Sequence, residues 1–233
     1  ELALLKSMGS DPFWGVRKES ASAFSKLKSK KYKKELMQLV QGQDNRVKRV
    51  LFRCLGNYEG DKDVAKFLTK VIETETNYYA IADAFTALIK VDSIAAEKKV
   101  DILLNRDSFN DVIRLSAISY FGSVISSRNY ERLKQICSYG GTTWDARSAA
   151  LKQLEKYIKI KPRTIDLFVE YLSDPNRSMR AVAINALGKF GNNNHIGFLD
   201  DLAEQDPILS RYVRVAKGKI KKPDDEKNLI ERK

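Results

Sequence analysis

The stretch DPNRSMRAVAINALGKFG, residues 174–191, contains the pattern on which the fold depends. After its Asp-Pro pair, apolar residues follow at helical spacing: Met179, Val182, Ala183, Ala186 and Leu187. Residues three and four positions apart lie on one side of an α-helix. The stretch therefore predicts an amphipathic helix that begins just after an aspartate.

The same register recurs along the chain at a nearly fixed interval. The anchor residues stand at positions 16, 47, 80, 113, 146, 179 and 212, and an apolar residue follows each anchor eight positions later. The first interval is 31 residues and every later interval is 33. A second helical pattern precedes most anchors, so each repeat is predicted to be a pair of helices. A fixed period of about 20–50 residues is typical of a solenoid.

Residues 174–191 also resemble a HEAT repeat, whose units carry an aspartate, a Val-Arg pair and an Ala-Leu-Gly ending. We therefore predict an all-α fold, an α–α superhelix (HEAT-like or armadillo-type solenoid) of about seven helix pairs with a 33-residue period. Residues 1–220 are predicted to form this single solenoid, and residues 221–233 a charged C-terminal tail. A 43% apolar and 31% charged composition suits such a folded protein.

The joints between the two helices of a repeat carry recurring polar residues. Aspartates two to six residues before the anchors are expected to cap the second helices: Asp11, Asp44, Asp111, Asp174 and Asp206. Glycines are expected to end those helices: Gly56, Gly122, Gly188 and Gly191. Basic residues just after the anchors are expected to hold adjacent repeats together through hydrogen bonds to joint aspartates or carbonyls. The alternative is that they form a row of ligand-binding side chains. They are Arg17, Lys48, Arg114, Arg147 and Arg180. Trp14 is likewise predicted to be a structural residue of the repeat.

The net charge of +12 is unevenly spread. Residues 17–53 hold twelve basic and three acidic side chains, whereas the rest of the chain is close to balance. This interval suggests an interaction patch, either a solvated face or a contact surface for nucleic acid, an acidic domain or lipid headgroups. Its residues are Lys26, Lys28, Lys30, Lys31, Lys33, Lys34, Arg46 and Arg49. Only Tyr32 lies among the lysines, which disfavours single-stranded nucleic acid because a stacking platform is missing.

Two stretches resemble a narrower family. SDPFWGVRKESASAF (residues 10–24) and YGGTTWDARSAALKQLEKY (residues 139–157) are similar to the C-terminal repeat region of gluzincin zinc aminopeptidases of the membrane alanyl aminopeptidase type. The resemblance implies a non-catalytic domain that shapes substrate access, with the upstream catalytic domain of the same polypeptide as its partner. It implies zinc for that parent enzyme only. The family's His-Glu-x-x-His and Gly-x-Met-Glu-Asn motifs are missing here, so this chain is assigned no catalytic residue, cofactor or metal ligand.

Two alternatives remain open. The chain can be a free-standing HEAT-repeat scaffold that binds proteins or peptides, or a basic HEAT-like nucleic-acid-binding protein or DNA glycosylase. A glycosylase would need an aromatic side chain beside a carboxylate, for which Trp144 and Asp145 are the adjacent pair, although helix capping explains Asp145. An apolar first repeat would favour the aminopeptidase domain: Leu2, Leu4, Leu5, Phe13 and Trp14. The aromatic residues Tyr78, Tyr79, Tyr139 and Trp144 are predicted to pack inside or between repeats. The alternatives are an aromatic ledge for Tyr139 and Trp144 and the lining of a concave surface for Tyr78 and Tyr79.

The remaining reactive side chains suggest structural roles. Cys54 and Cys137 are expected to be buried free thiols, because about two and a half repeats separate them. The single histidine, His195, stands beside a turn and is not assigned as a ligand. No apolar run reaches the length of about 20 residues that a membrane span needs. Together with the free thiols, this predicts a cytoplasmic protein.

Overall fold

The structure, a computed structural model, describes residues 1–220, and the predicted charged tail of residues 221–233 lies outside the described residues. The chain divides into two compact units, the first spanning Glu1–Val124 and the second beginning at Ile125. We describe each unit by itself. The boundary expected at residue 220 and the single solenoid domain stay predictions.

The first unit contains four helix pairs. Its second helices pack side by side in chain order, and each first helix packs on the second helix of its own pair. The α-helices are α1 (Leu2–Ser10), α2 (Trp14–Leu27), α3 (Lys33–Leu39), α4 (Asn45–Leu55), α5 (Lys62–Thr74), α6 (Tyr78–Val91), α7 (Ser93–Leu104) and α8 (Val112–Ser123). A short 3-10 helix, Phe109–Asp111, leads into α8.

The second unit contains three helix pairs that pack in the same way. Its α-helices are α9 (Ser127–Cys137), α10 (Trp144–Leu154), α11 (Thr164–Glu170), α12 (Arg177–Phe190), α13 (Ile196–Gln205) and α14 (Ser210–Lys219). Short 3-10 helices lie at Glu155–Tyr157, Tyr171–Ser173, Asn193–His195 and Pro207–Leu209. Fourteen α-helices in seven pairs over residues 1–220, with no strand among them, confirm the predicted fold class.

The repeat register accounts for the core. All seven residues eight positions after the anchors are buried: Phe24, Leu55, Leu88, Phe121, Leu154, Leu187 and Ile220. The five middle anchors are buried too, whereas the first and last anchors, Val16 and Tyr212, are exposed. Among the described residues no earlier second helix covers Val16. In α14, Val213 takes the buried position next to Tyr212, although Ile220 keeps its buried position eight residues after Tyr212.

Four of the five joint aspartates accept a hydrogen bond from the backbone N–H two residues on: Asp11, Asp44, Asp174 and Asp206. Only Asp44 caps a second α-helix as predicted, because Asn176 caps α12 and Asp206 caps the 3-10 helix before α14. Asp44 is the N-cap of α4 and accepts a hydrogen bond from the Arg46 backbone N–H. Asp111 departs from the prediction, since its side chain makes no capping bond. Ser108 Oγ instead accepts from the Ile113 N–H at 3.0 Å, and Asp111 has a left-handed backbone (φ 55°). The cap of α8 therefore comes from the serine.

Two of the four glycines expected at helix ends lie inside helices. Gly56 and Gly191 are C-caps of α4 and α12, whereas Gly122 and Gly188 lie within α8 and α12. A Cβ on Gly188 would stand 2.7 Å from the Cα of Ala216 in α14. Gly188 therefore lets two second helices approach closely, and the prediction of a helix end at this residue is wrong.

Candidate functional site

The arginines after the anchors bind the joints of their own repeats. Arg17 Nη1 donates hydrogen bonds to the carbonyl oxygens of Asp11 at 2.6 Å and Pro12 at 3.1 Å. Arg180 Nη1 makes the same two bonds, at the same distances, to its own Asp-Pro joint. The guanidinium group thus bonds carbonyls that precede the helix, where no helical N–H reaches them.

The same row of basic side chains also reaches the joint of the following repeat. These bonds cross from one helix pair to the next and hold adjacent repeats together. The contacts are Arg17 Nε to Gln43 Oε1 (3.0 Å), Lys48 Nζ to Glu75 Oε2 (3.0 Å), Arg147 Nη2 to Asp174 Oδ2 (2.5 Å) and Arg180 Nη2 to Asp206 Oδ2 (2.8 Å).

Arg114 differs from the others because its partners lie within its own repeat. Its Nε donates to the carbonyl oxygen of Leu104 at 2.9 Å, and its Nη atoms pair with Asp107 and Asp111. All four arginines of the row are therefore engaged by joint carbonyls or joint side chains, which leaves no row of open guanidinium groups for a ligand.

The eight residues of the predicted basic patch separate into two groups. Three of them have acidic partners within the first unit. Lys33 Nζ lies 2.7 Å from Asp61 and 2.9 Å from Asp63, and hydrogen bonds to these carboxylates raise the pKa of Lys33. Arg49 Nε lies 2.5 Å from Asp83. The third, Arg46, pairs with Asp44.

Arg46 and Asp44 form a two-point ion pair. Arg46 Nε donates to Asp44 Oδ1 and Nη2 to Oδ2, each at 2.9 Å. The hydrogen bond from the Arg46 side chain, followed by that from its backbone N–H, lowers the pKa of Asp44 to about 2. The second group consists of exposed lysines with no ion pair within residues 1–220: Lys26, Lys28, Lys30, Lys31 and Lys34. Lys28 and Lys30 line a groove of about 970 Å³ together with Lys90.

Aromatic rings and paired arginines form a set of two groups at or near the starts of the second helices of the first unit, and Arg46 of one group stands three residues before Arg49 of the other in α4. We call it the aromatic ladder and define it by Phe13, Trp14, Arg46, Arg49, Tyr78, Tyr79 and Phe109. The Arg46 guanidinium stands 3.5 Å over the Trp14 ring, and the Arg49 guanidinium 4.8 Å over the Tyr79 ring. The neighbouring ring centroids are 5.6 Å apart for Phe13–Trp14, 5.2 Å for Tyr78–Tyr79 and 6.5 Å for Tyr78–Phe109.

The two ends of the ladder face solvent. Phe13 is 58% exposed and Phe109 is 62% exposed, whereas Trp14, Tyr78 and Tyr79 are half-buried. Because Arg46 and Arg49 are already paired with Asp44 and Asp83, the ladder presents flat π surfaces with little net charge. A surface of this kind suits apolar and aromatic contacts with a protein.

A smaller group of the same type lies in the second unit. The rings of Tyr139 and Trp144 are 5.8 Å apart and both are exposed, with the guanidinium of Arg147 5.5 Å and 5.1 Å from their centroids. The prediction that Tyr139 and Trp144 pack in the core or between repeats is therefore wrong. Trp14, Tyr78 and Trp144 each occupy the first position of a second helix, in α2, α6 and α10.

No catalytic or metal site emerges from the part of the chain that the structure describes. A search of residues 1–220 found no group of three His, Cys, Asp or Glu side chains that could hold a metal ion. His195 Nδ1 accepts a hydrogen bond from the Asn192 N–H in a capping box. Asp145 is exposed in the first turn of α10, beside Trp144. Within the same residues no helix is long and apolar enough to cross a membrane.

Both cysteines are free and buried. Burial raises the pKa of the Cys54 thiol to about 11 and that of the Cys137 thiol to about 12. Cys54 Sγ donates to the Ala21 carbonyl oxygen at 3.3 Å. A thiol held in its protonated form behaves as a small apolar core group rather than as a nucleophile.

Comparisons with known proteins identify the family. The family model that describes HEAT repeats matches residues 2–89 and 130–216 of the sequence. The chain therefore belongs to the HEAT repeat family. A chain from the complex of CpcE and CpcF of phycocyanin lyase from Nostoc sp. PCC7120 has a similar structure, with a TM-score of 0.53 and 16% sequence identity over 93% of this chain and 92% of that one. An engineered protein matches at a TM-score of 0.45 and 16% identity, over 79% of this chain and 96% of that one. A comparison with curated proteins found no match.

The predicted membership in the gluzincin aminopeptidases is wrong. The matching family is the HEAT repeats in general, and a natural protein of similar structure belongs to a phycocyanin lyase complex. The two stretches that suggested an aminopeptidase contain Asp11, Arg17 and Arg147, whose contacts build repeat joints. An Asp-Pro joint with a following arginine recurs at Asp174 and Arg180 in this same chain, so the motif indicates a HEAT repeat and no particular enzyme.

Sequence reasoning missed one charged surface completely. Lys62, Lys66 and Lys70 stand at i, i+4 and i+8 in α5 and line a groove shared with α7, which contributes Lys98 and Lys99. The chain beyond residue 53 looked balanced because Asp61, Asp63 and Glu73 offset these charges in a sum over sequence. The helical spacing of the lysines was the signal that could have revealed them.

Proposed function

We propose that this HEAT-repeat protein is an interaction scaffold whose aromatic ladder binds a protein partner. The ladder itself is the observation that carries the proposal. Tryptophan, tyrosine and arginine are the residues over-represented at the energetic centres of protein interfaces. The ladder draws on four consecutive repeats, from Phe13 to Phe109, and so offers a surface larger than any one helix pair provides.

The structure around the ladder supports a rigid binding surface. Trp14 is held against Arg46, which is fixed by two bonds to Asp44. Arg49 is likewise fixed by Asp83 while it stands over Tyr79. Side chains that are already ordered lose little conformational entropy when a partner binds, which favours affinity.

The charge of the ladder favours a protein over a nucleic acid. Nucleic-acid affinity rests largely on basic groups that neutralise phosphates. The two arginines of the ladder already have carboxylate partners, so a phosphate would have to displace Asp44 or Asp83. The chain of similar fold from Nostoc was solved in a complex of CpcE with CpcF, and we infer that this chain also acts together with a protein.

A display selection tests the proposal. Random peptides are selected on the immobilised protein and then counter-screened on a Trp14→Ala/Tyr79→Ala variant whose helical content circular dichroism shows to be intact. We expect enriched peptides that bind the wild type and fail on the variant. Peptides that bind both forms equally well, or no enrichment above an unrelated helical protein, would contradict the proposal.

A further inference from the structure

The groove between α5 and α7 concentrates positive charge on the first unit and has no lining residue in common with the aromatic ladder. It has a volume of about 730 Å³ and its cationic lining is Lys62, Lys66, Lys70, Lys98 and Lys99. Small residues, Ala65 and Ala95, lie between the two helices. We call this feature the α5–α7 groove.

Most of this charge is not neutralised by ion pairs within residues 1–220. Lys99 Nζ lies 2.5 Å from Glu73. Asp92, the other acid of the lining, accepts hydrogen bonds from the backbone N–H groups of Ile94 and Ala95 at the start of α7. The other four lysines of the lining make no ion pair or hydrogen bond to a carboxylate within residues 1–220.

The spacing of the lysines along α5 destabilises this helix when no ligand is bound. Like charges at i and i+4 repel each other, and Lys62, Lys66 and Lys70 place three of them in succession. Glu73 pairs with Lys99 and Asp92 caps α7, so Lys62, Lys66 and Lys70 have no ion-pair partner within residues 1–220. An anionic ligand would therefore relieve the repulsion along α5 as well as gain from the attraction.

The same spacing fits an extended peptide. Four residues of α-helix advance about 6 Å. In an extended chain, alternate side chains lie on one side and are about 6.5 Å apart. A segment with an acidic residue at every second position would therefore place successive carboxylates beside successive lysines of α5. Ala65 and Ala95 leave room for its backbone.

We propose that the α5–α7 groove binds an extended acidic segment of a protein, with carboxylates at alternate positions. A single-stranded nucleic acid fits less well, because the lining contains no aromatic ring on which a base could stack. The proposal is independent of the aromatic ladder, which lies at the starts of the second helices, whereas the groove is formed by first helices.

Fluorescence polarisation with defined probes tests this site. The probe is a labelled peptide of about eight residues with glutamate at every second position, in a buffer of about 0.05 M salt. The variant is Lys66→Glu/Lys70→Glu. The matched control is Lys152→Glu/Lys159→Glu, which makes the same change in net charge at two exposed lysines of the second unit.

We expect the groove variant to weaken binding by about tenfold or more and the control by less than about threefold. Binding should also weaken as salt rises to about 0.2 M. Equal losses in the two variants, no binding at low salt, or tighter binding of a single-stranded oligonucleotide of the same charge would each overturn the proposal. A Trp14→Ala/Tyr79→Ala variant should bind this probe as the wild type does, which separates the groove from the ladder.

Discussion

Arg147 Nη2 lies 2.5 Å from Asp174 Oδ2, and the two side chains are 1% and 5% exposed. Arg147 belongs to the second helix of one repeat and Asp174 to the joint of the next. Arg147 Nε also donates to the Cys137 carbonyl oxygen at 2.8 Å, so the guanidinium is bonded on two sides. This buried pair makes the packing of the two repeats depend on a charge, because removing either partner leaves the other charge buried and unpaired.

The first prediction concerns that pair. Arg147→Leu should lower the free energy of unfolding by about 3–5 kcal/mol, the usual cost of an unpaired buried charge. Urea denaturation followed by circular dichroism measures the change. The matched control is Arg177→Ala, since Arg177 is 54% exposed and shares Asp206 with Arg180. Its effect should lie within the error of the measurement, and a comparable loss in the control would show that burial is not the cause.

The second prediction concerns the close approach of α12 and α14. Gly188→Ala should destabilise the protein by about 1–3 kcal/mol, because the new Cβ would collide with the backbone of Ala216. Gly197→Ala in α13 meets nothing within 4 Å and should stabilise by up to about 1 kcal/mol, since alanine favours helix. Melting temperatures of both variants give the sign of each change. An unchanged melting temperature in Gly188→Ala would show that α12 and α14 can move apart without loss of stability.

The third prediction concerns pH. Asp44 has its pKa lowered from 3.8 to about 2, so its ionised form stabilises the fold above about pH 4, and this contribution is lost as the pH falls towards 2. Arg46→Gln should move the Asp44 titration midpoint, followed by NMR of the side-chain carboxyl carbon, upwards towards 3.8. Asp44→Asn retains a capping oxygen and removes the charge, so its stability should vary less over that pH range. An unchanged midpoint in Arg46→Gln would refute the assignment.

The fourth prediction concerns the thiols. Because burial raises the pKa of both cysteines, neither should react with Ellman's reagent in the native protein near about pH 8. Both thiols should react once the chain is unfolded in urea, giving two per chain. Rapid labelling of the native protein would show that Cys54 or Cys137 is accessible, and fewer than two thiols on unfolding would indicate a disulfide.

The repeat could be predicted from sequence because its signal is local and recurs seven times. Each residue eight positions after an anchor lies two turns further along the same helix, and every one of them is buried. Gly188 was misread because spacing alone does not distinguish the end of a helix from a point where two helices cross. The aminopeptidase resemblance failed for a related reason, since the Asp11–Arg17 pattern encodes a joint that many HEAT proteins can share.

The candidate site could not be predicted because its members come from different repeats. Arg46 meets Trp14, and Arg49 meets Asp83 and Tyr79, across about thirty residues of sequence. Tyr139 and Trp144 were predicted to pack in the core or between repeats, yet Arg147 fills the buried position and leaves the rings exposed. Which of several nearby side chains is buried depends on packing between repeats, and a single sequence does not contain that information.

A dissociation constant decides whether the aromatic ladder binds a protein partner. A peptide recovered by selection on the wild type is titrated by isothermal calorimetry into the wild type, Trp14→Ala, and the control Phe198→Ala, whose ring is 50% exposed in the second unit. We predict that Trp14→Ala weakens binding by about thirtyfold, as loss of an interface anchor worth about 2 kcal/mol does, and that Phe198→Ala leaves it unchanged. Equal affinity for the wild type and Trp14→Ala would show that the aromatic ladder is not the binding surface.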